Sequence, residues 1–90
     1  MSEVKAVVTV VGKDSVGVLA NISTAVAAAG ANVINMQQSV VEGYFNLIMI
    51  IEISQATQSI EEMRESIAAA VPNTQVHVMH ENIFLSMHTI

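Results

Sequence analysis

The chain has 90 residues, one proline and 12% charged residues, which suits one compact domain and leaves no room for a second. It contains no cysteine, so a disulfide framework, a thiol nucleophile and a thiolate metal site are all excluded. The formal net charge is −5 and the only cations are Lys5, Lys13 and Arg64, so nucleic acid is not an expected partner.

Residues 4 to 11 alternate, with Ala6, Val8 and Val10 on one face and Lys5, Val7, Thr9 and Val11 on the other, which predicts a first strand. The stretch GKDSVG follows, two glycines and an aspartate at the handover from strand to helix. Leu19, Ile22 and Val26 then recur at helical spacing, with Ala25 and Ala29 widening the stripe. Asp14 or Ser15 serves as N-cap and Gly30 as the closing glycine of a helix over roughly 16 to 29. A second strand is expected over 32 to 41, and Glu42-Gly43 offers a tight turn into a third over 44 to 53. That third run is almost continuously apolar: Phe45, Leu47, Met49 and Ile51 fall on one side, Ile48 and Ile50 on the other. After a polar connection over 54 to 59, Ile60, Met63, Ile67 and Val71 recur at helical spacing until Pro72-Asn73 ends the run. Residues 75 to 80 read as a short fourth strand. In the tail ENIFLSMHTI, residues Ile83, Phe84, Met87 and Ile90 predict a short amphipathic helix behind an Asn82 cap.

The order β-α-β-β-α-β is the ferredoxin-like α+β arrangement, a four-stranded antiparallel sheet with two helices on one face, here followed by a short C-terminal helix. Residues 1 to 80 form the domain, and residues 81 to 90 form a tail that packs on it or on a dimer partner. Whichever side of the third strand meets the helices, apolar residues remain on the other, so the tail, a second subunit or both are expected to cover it. Hydrophobic residues reach 52%, yet no apolar run approaches the roughly 18 to 20 residues that span a bilayer. The start MSEVKAVVTVV also lacks the pattern of a signal peptide. The expected location is the cytoplasm, with no membrane partner.

A helix N-terminus presents unpaired N–H groups and a partial positive charge, which attract carboxylate or phosphate. In GKDSVG, Gly12 permits a sharp exit from the strand, Gly17 permits close backbone approach, and Asp14 places a negative charge beside the same donors. Such a loop has the groups to hold a zwitterion, its carboxylate on the backbone and its ammonium near Asp14, and an α-amino acid is one. The plainer reading makes Gly12 a turn residue, Asp14 or Ser15 an ordinary N-cap and Gly17 a concession to helix packing. The loop has neither the G-x-G-x-x-G nor the G-x-x-x-x-G-K-[ST] spacing of nucleotide sites.

The stretch GKDSVGVLANISTAVAAAGANV resembles the signature of the ACT domain, a small regulatory module that binds amino acids and controls enzymes of amino-acid metabolism. The tail IFLSMHTI resembles that of free-standing bacterial single-ACT proteins of uncharacterised function. The resemblance implies a ligand-binding stretch of Gly12, Lys13, Asp14, Ser15, Val16, Gly17, Val18 and Leu19, completed by Asn32. In serine-sensing members the position of Asp14 supplies a polar side chain, that of Gly17 the close-approach glycine, and that of Asn32 a contact across a dimer interface. Two positions depart from the pattern: a histidine is replaced by Gly12, and a proline before the second glycine is replaced by Val16. Such domains often pair through their sheet edges, so a homodimer is expected. The implied function is that of an amino-acid sensor with a possible regulated protein partner; the alternative is a dimerisation or interaction module without ligand binding.

Rival chemistries lack their residues. Acylphosphatase, on the same topology, needs an arginine where GKDSVG has only Lys13, and copper chaperones need a C-x-x-C pair. RNA-recognition domains need a platform of stacking aromatics that Tyr44 and Phe45, at one end of a strand, do not form. His77 and His80, three apart on a strand, point to opposite faces, so no metal site is expected. No nucleophile, base or oxyanion set is recognisable, so neither catalysis nor a cofactor is expected.

Overall fold

A computed structural model describes residues 4 to 13 and 17 to 87. The elements run β1 (Lys5–Gly12), α1 (Val18–Ala28), β2 (Asn32–Val41), β3 (Tyr44–Glu52), α2 (Ile60–Ala70), β4 (Thr74–His80) and α3 (Glu81–Met87). The strands form one antiparallel sheet in the order β2-β3-β1-β4, the ferredoxin-like βαββαβ arrangement with an added short helix.

Strand alternation decides which side chains enter the core. Ala6, Val8 and Val10 of β1 and Phe45, Leu47, Met49 and Ile51 of β3 face the helices and are all but fully buried. They meet Ile22 and Val26 of α1 and Met63 and Ile67 of α2. Each helix presents one apolar stripe, so two helices cover only one side of the sheet. On the opposite side Ile48 stays exposed and Ile50 is half-buried, while Val7, in the middle of that side, is 1% exposed. α3 lies on this second side, against β1 and β4.

Local chemistry sets the element ends. α1 closes with a Schellman arrangement in which Gly30 N–H donates to Ala27 O and Ala31 N–H to Val26 O. The β2–β3 hairpin turns through Glu42 and Gly43, both at positive φ (52° and 83°), which is the type I′ geometry that suits the twist of paired strands. α2 starts from a reciprocal capping box: Ser59 Oγ accepts from Glu62 N–H at 3.1 Å, and Glu62 Oε1 accepts from Ser59 N–H at 2.9 Å.

Two expectations need correction. The N-cap of α1 is Gly17 rather than Asp14 or Ser15, so the helix begins at Val18. Asn82 does not cap α3, because the helix starts at Glu81 directly from the last residue of β4 and takes Asn82 into its first turn. Gly12 is the last residue of β1, paired with both Phe45 and Thr74 before the chain leaves the strand. Ile90 lies outside the described residues.

Candidate functional site

The end of β1 and the head of α1 stand together at one end of the sheet. Gly17, with φ 73° and ψ −6°, holds the left-handed conformation that L side chains rarely adopt, and its carbonyl accepts the first helical bond from Asn21 N–H at 3.0 Å. Among the described residues nothing lies within 4 Å of where its Cβ would be. Packing against another helix is therefore not why residue 17 is glycine. Its backbone conformation requires it, and no described residue crowds the space beside it.

Gly12 has the opposite reason. A Cβ there would stand 2.7 Å from Thr74 Cγ2 and 3.0 Å from Phe45 Cε1, so the position has no room for a side chain. That accounts for the missing histidine: β4 and β3 already occupy the space.

Two clefts flank this end. On the helix side, the first turn of α1 faces the end of α2 across a cleft of about 200 Å³, lined by Val18, Asn21, Ala70, Pro72, Asn73 and Thr74 among others. The volume lies below the roughly 300–1,000 Å³ of drug-sized sites and suits a ligand of a few heavy atoms. The ends that meet here are electrostatically opposite, the positive N-terminus of α1 and the negative C-terminus of α2. On the other side of the sheet Val11, Lys13, Tyr44, Asn73 and Gln75 line a cleft of about 280 Å³. Lys13 Nζ sits 5.7 Å from the centroid of the Tyr44 ring, within cation–π range.

Of the residues singled out in the sequence, Gly12, Lys13, Gly17 and Val18 gather at this end, with half-buried Leu19 following in the first turn of α1. Asp14, Ser15 and Val16 lie outside the described residues. Asn32 is not brought to them. It opens β2 at the other end of the sheet, opposite Glu52, and Asn32 Nδ2 donates to Glu52 Oε1 at 3.5 Å. Gly12 is opposite Phe45, so the two positions are separated by the run from Phe45 to Glu52, roughly 23 Å along β3 at about 3.3 Å per residue. Within one chain Asn32 and the loop cannot share a small ligand.

β2 is a sheet edge, and all ten of its residues are exposed. If two copies pair through antiparallel β2 strands about a two-fold axis, Asn32 of one copy comes to the end of the sheet that carries Gly12 and Gly17 of the other. Asn21, Asn73 and Tyr44 were missed as lining residues by sequence reasoning. The Pro72-Asn73 turn gave a partial signal, since asparagine tolerates the positive φ of 70° found there.

Among the described residues no group of three or more His, Asp or Glu side chains could hold a metal ion, and no helix is long and apolar enough to cross a membrane.

The chain and its fold have counterparts among known proteins. The chain is 36% identical over 88 residues to a UPF0237 protein of Listeria monocytogenes, covering 96% of this chain and 99% of that one. It is 39% identical over 87 residues to a UPF0237 protein of Clostridium perfringens, covering 94% and 98%. Among solved structures, an ACT domain protein from Streptococcus pneumoniae superposes with a TM-score of 0.77 at 29% identity, over 92% of this chain and 96% of that one. Residues 5–79 match the sequence profile of the ACT domain, a span that runs from the first residue of β1 almost to the end of β4, and by that match the chain belongs to the ACT domain family.

Proposed function

We propose that this protein is a cytoplasmic, regulatory amino-acid sensor, which acts as a homodimer and binds a small amino acid at the β1–α1 loop. The observation that carries the reading is the head of α1, where a left-handed Gly17 has no described residue within 4 Å of its Cβ position and a cleft of about 200 Å³ faces the end of α2. An α-carboxylate is favoured at the first end, and an α-ammonium by the second end together with the loop acid Asp14. The exposed β2 edge supports the dimer, and the distance between Asn32 and the loop supports a role for Asn32 of the second copy. Bound ligand then bridges two copies and biases either their arrangement or their affinity for a regulated protein.

The test is a thermal-stability screen against the twenty amino acids, each at about 10 mM, on the wild type and on Asp14→Ala and Asn32→Ala; a ligand at ten times its Kd adds about 1.4 kcal/mol. One or a few amino acids should raise the midpoint by several degrees, and both variants should lose the shift. No shift with any of the twenty would favour the second reading, an interaction module without ligand. The filled position at Gly12 already leans that way, because no side chain there can reach a ligand.

A further inference from the structure

The sheet face turned away from α1 and α2 is stepped. α3 packs over β4 and β1, with Phe84 lining clefts together with Ile48 of β3, so one half of the face carries a helical ridge. The other half is bare: Asn35, Gln37, Ile48 and Ile50 line a cleft of about 300 Å³ against Phe84. The ridge is apolar on its flanks as well as its base. Ile83 and Leu85 stand roughly 100° either side of Phe84 around the helix, and they are 52% and 54% exposed. α3 also carries Glu81, Asn82 and Ser86, but with Phe84 turned to the sheet, Ile83 and Leu85 are left about half-exposed on either side, so apolar surface remains beyond what its own sheet covers.

We propose that a second copy of this chain supplies the other. Two copies stack face to face about a two-fold axis parallel to the strands, the α3 ridge of each lying in the β2–β3 trough of its mate. Three features select a second copy. The step is self-complementary under that axis, because the rotation carries ridge over trough on both sides at once. The face also lacks repulsion: among its described residues no Asp, Glu, Lys or Arg lies between Lys5 and Glu52 at one end and Lys13 at the other, apart from Glu81 where α3 leaves β4. The acids Glu61, Glu62 and Glu65 ride on α2 in the opposite layer, so copies of net charge −5 can meet here. Finally, the flat footprint, four strands at about 4.8 Å by eight residues at about 3.3 Å, is roughly 500 Å² before relief is counted, on the order of the ~800 Å² per partner of a standard interface. This contact is separate from the β2 edge and does not depend on the ligand.

Sedimentation equilibrium of the full chain tests it, on the wild type, Ile83→Glu, Gln37→Lys and the double variant, with circular dichroism to confirm that each is folded. Each single substitution should halve the molar mass, and the double variant, with an acid on the ridge facing a base in the trough, should restore it. A wild type whose mass is unchanged by either substitution, as in a dimer joined through β2 alone, overturns the proposal. So does a silent Gln37→Lys beside a disruptive Ile83→Glu, since the trough would then not receive the ridge. The amino-acid screen run on Ile83→Glu reports the loop site independently, so failure of the sensor reading leaves a different signature.

Discussion

Gly12 and Thr74 face each other across the β1–β4 pair so closely that a methyl group on Gly12 would lie 2.7 Å from Thr74 Cγ2. Thr74 has little freedom to withdraw, because its hydroxyl donates to Val71 O at 2.7 Å and fixes the rotamer. Phe45 closes the other side at 3.0 Å. Gly12→Ala should therefore destabilise the fold by about 1–3 kcal/mol through overpacking, lowering the melting midpoint by roughly 4–8 °C per kcal/mol for a domain of this size. Thr74→Ser removes the offending methyl and keeps the hydroxyl. Combining it with Gly12→Ala should recover part of the loss, and denaturant melts of the two single variants and the double settle this; equal midpoints for Gly12→Ala and the double would show that Thr74 is not the obstacle.

Gly17 is constrained by its backbone alone. With φ at 73° and no described residue within 4 Å of the Cβ position, Gly17→Ala should carry the left-handed penalty of about 1–2 kcal/mol without overpacking. Asparagine visits that region more readily, so Gly17→Asn should be the milder change in urea denaturation. A ranking of Ala as the milder variant would mean that side-chain size, not φ, governs the site.

Periodicity carried most of the architecture because burial in this fold follows strand alternation: alternate residues of β1 and β3 enter the core against the helices, and of their neighbours on the other side only Val7 is buried. The hairpin was legible in Glu42-Gly43, since few pairs suit a type I′ turn. The site was less legible, for three physical reasons. A glycine in sequence does not say whether it serves φ or space, and here Gly17 serves the first and Gly12 the second. The separation of Asn32 from the loop follows from strand register, which only the pairing of β2 with β3 reveals. The start of α3 was misjudged because β4 passes into the helix with no connecting residue, so no cap was available to read. One signal was present and overlooked: Ser59 and Glu62 have the S-x-x-E spacing of a capping box.

That capping box gives a direct check on α2. Its two bonds satisfy the N–H groups of Ser59 and Glu62, and the helix is only eleven residues long. Ser59→Ala should cost about 1 kcal/mol, within the usual range for losing an N-cap side chain. Ser59→Asp should retain most of the stability, because a carboxylate caps as well and complements the helix dipole. Thermal melts of both variants decide it. A loss in Ser59→Asp as large as in Ser59→Ala would place the stabilisation elsewhere.

Glu42 offers a gain rather than a loss. It holds φ 52° without the tolerance that glycine or asparagine has for that region, on an exposed turn where its side chain makes no hydrogen bond or ion pair among the described residues. Asn-Gly is the favoured pair for a type I′ turn, so Glu42→Asn should stabilise the hairpin by about 0.5–1 kcal/mol. The melting midpoint should rise, and a fall would indicate that the glutamate makes a contact worth more than the strain it bears.

Phe84 links the tail to the sheet. Val7 sits on the sheet side away from α1 and α2, yet it is 1% exposed, with α3 packed against its strand. Phe84 is half-buried and lines clefts on both sides of the contact, with Ile48 common to the two. A fully buried Phe→Ala costs about 3–5 kcal/mol, so the half-buried Phe84→Ala should cost roughly half as much and expose more of the open face. Phe84→Leu keeps an apolar plug and should lose less. Truncation after His80 should do at least as much damage as Phe84→Ala, and it should increase binding of a hydrophobic dye, because Val7, Ile48 and Ile50 would then meet solvent together. A truncated chain that melts with the wild type and binds no more dye would show that α3 contributes nothing to covering the sheet, and would leave the burial of Val7 to its strand neighbours Ile50 and Met79.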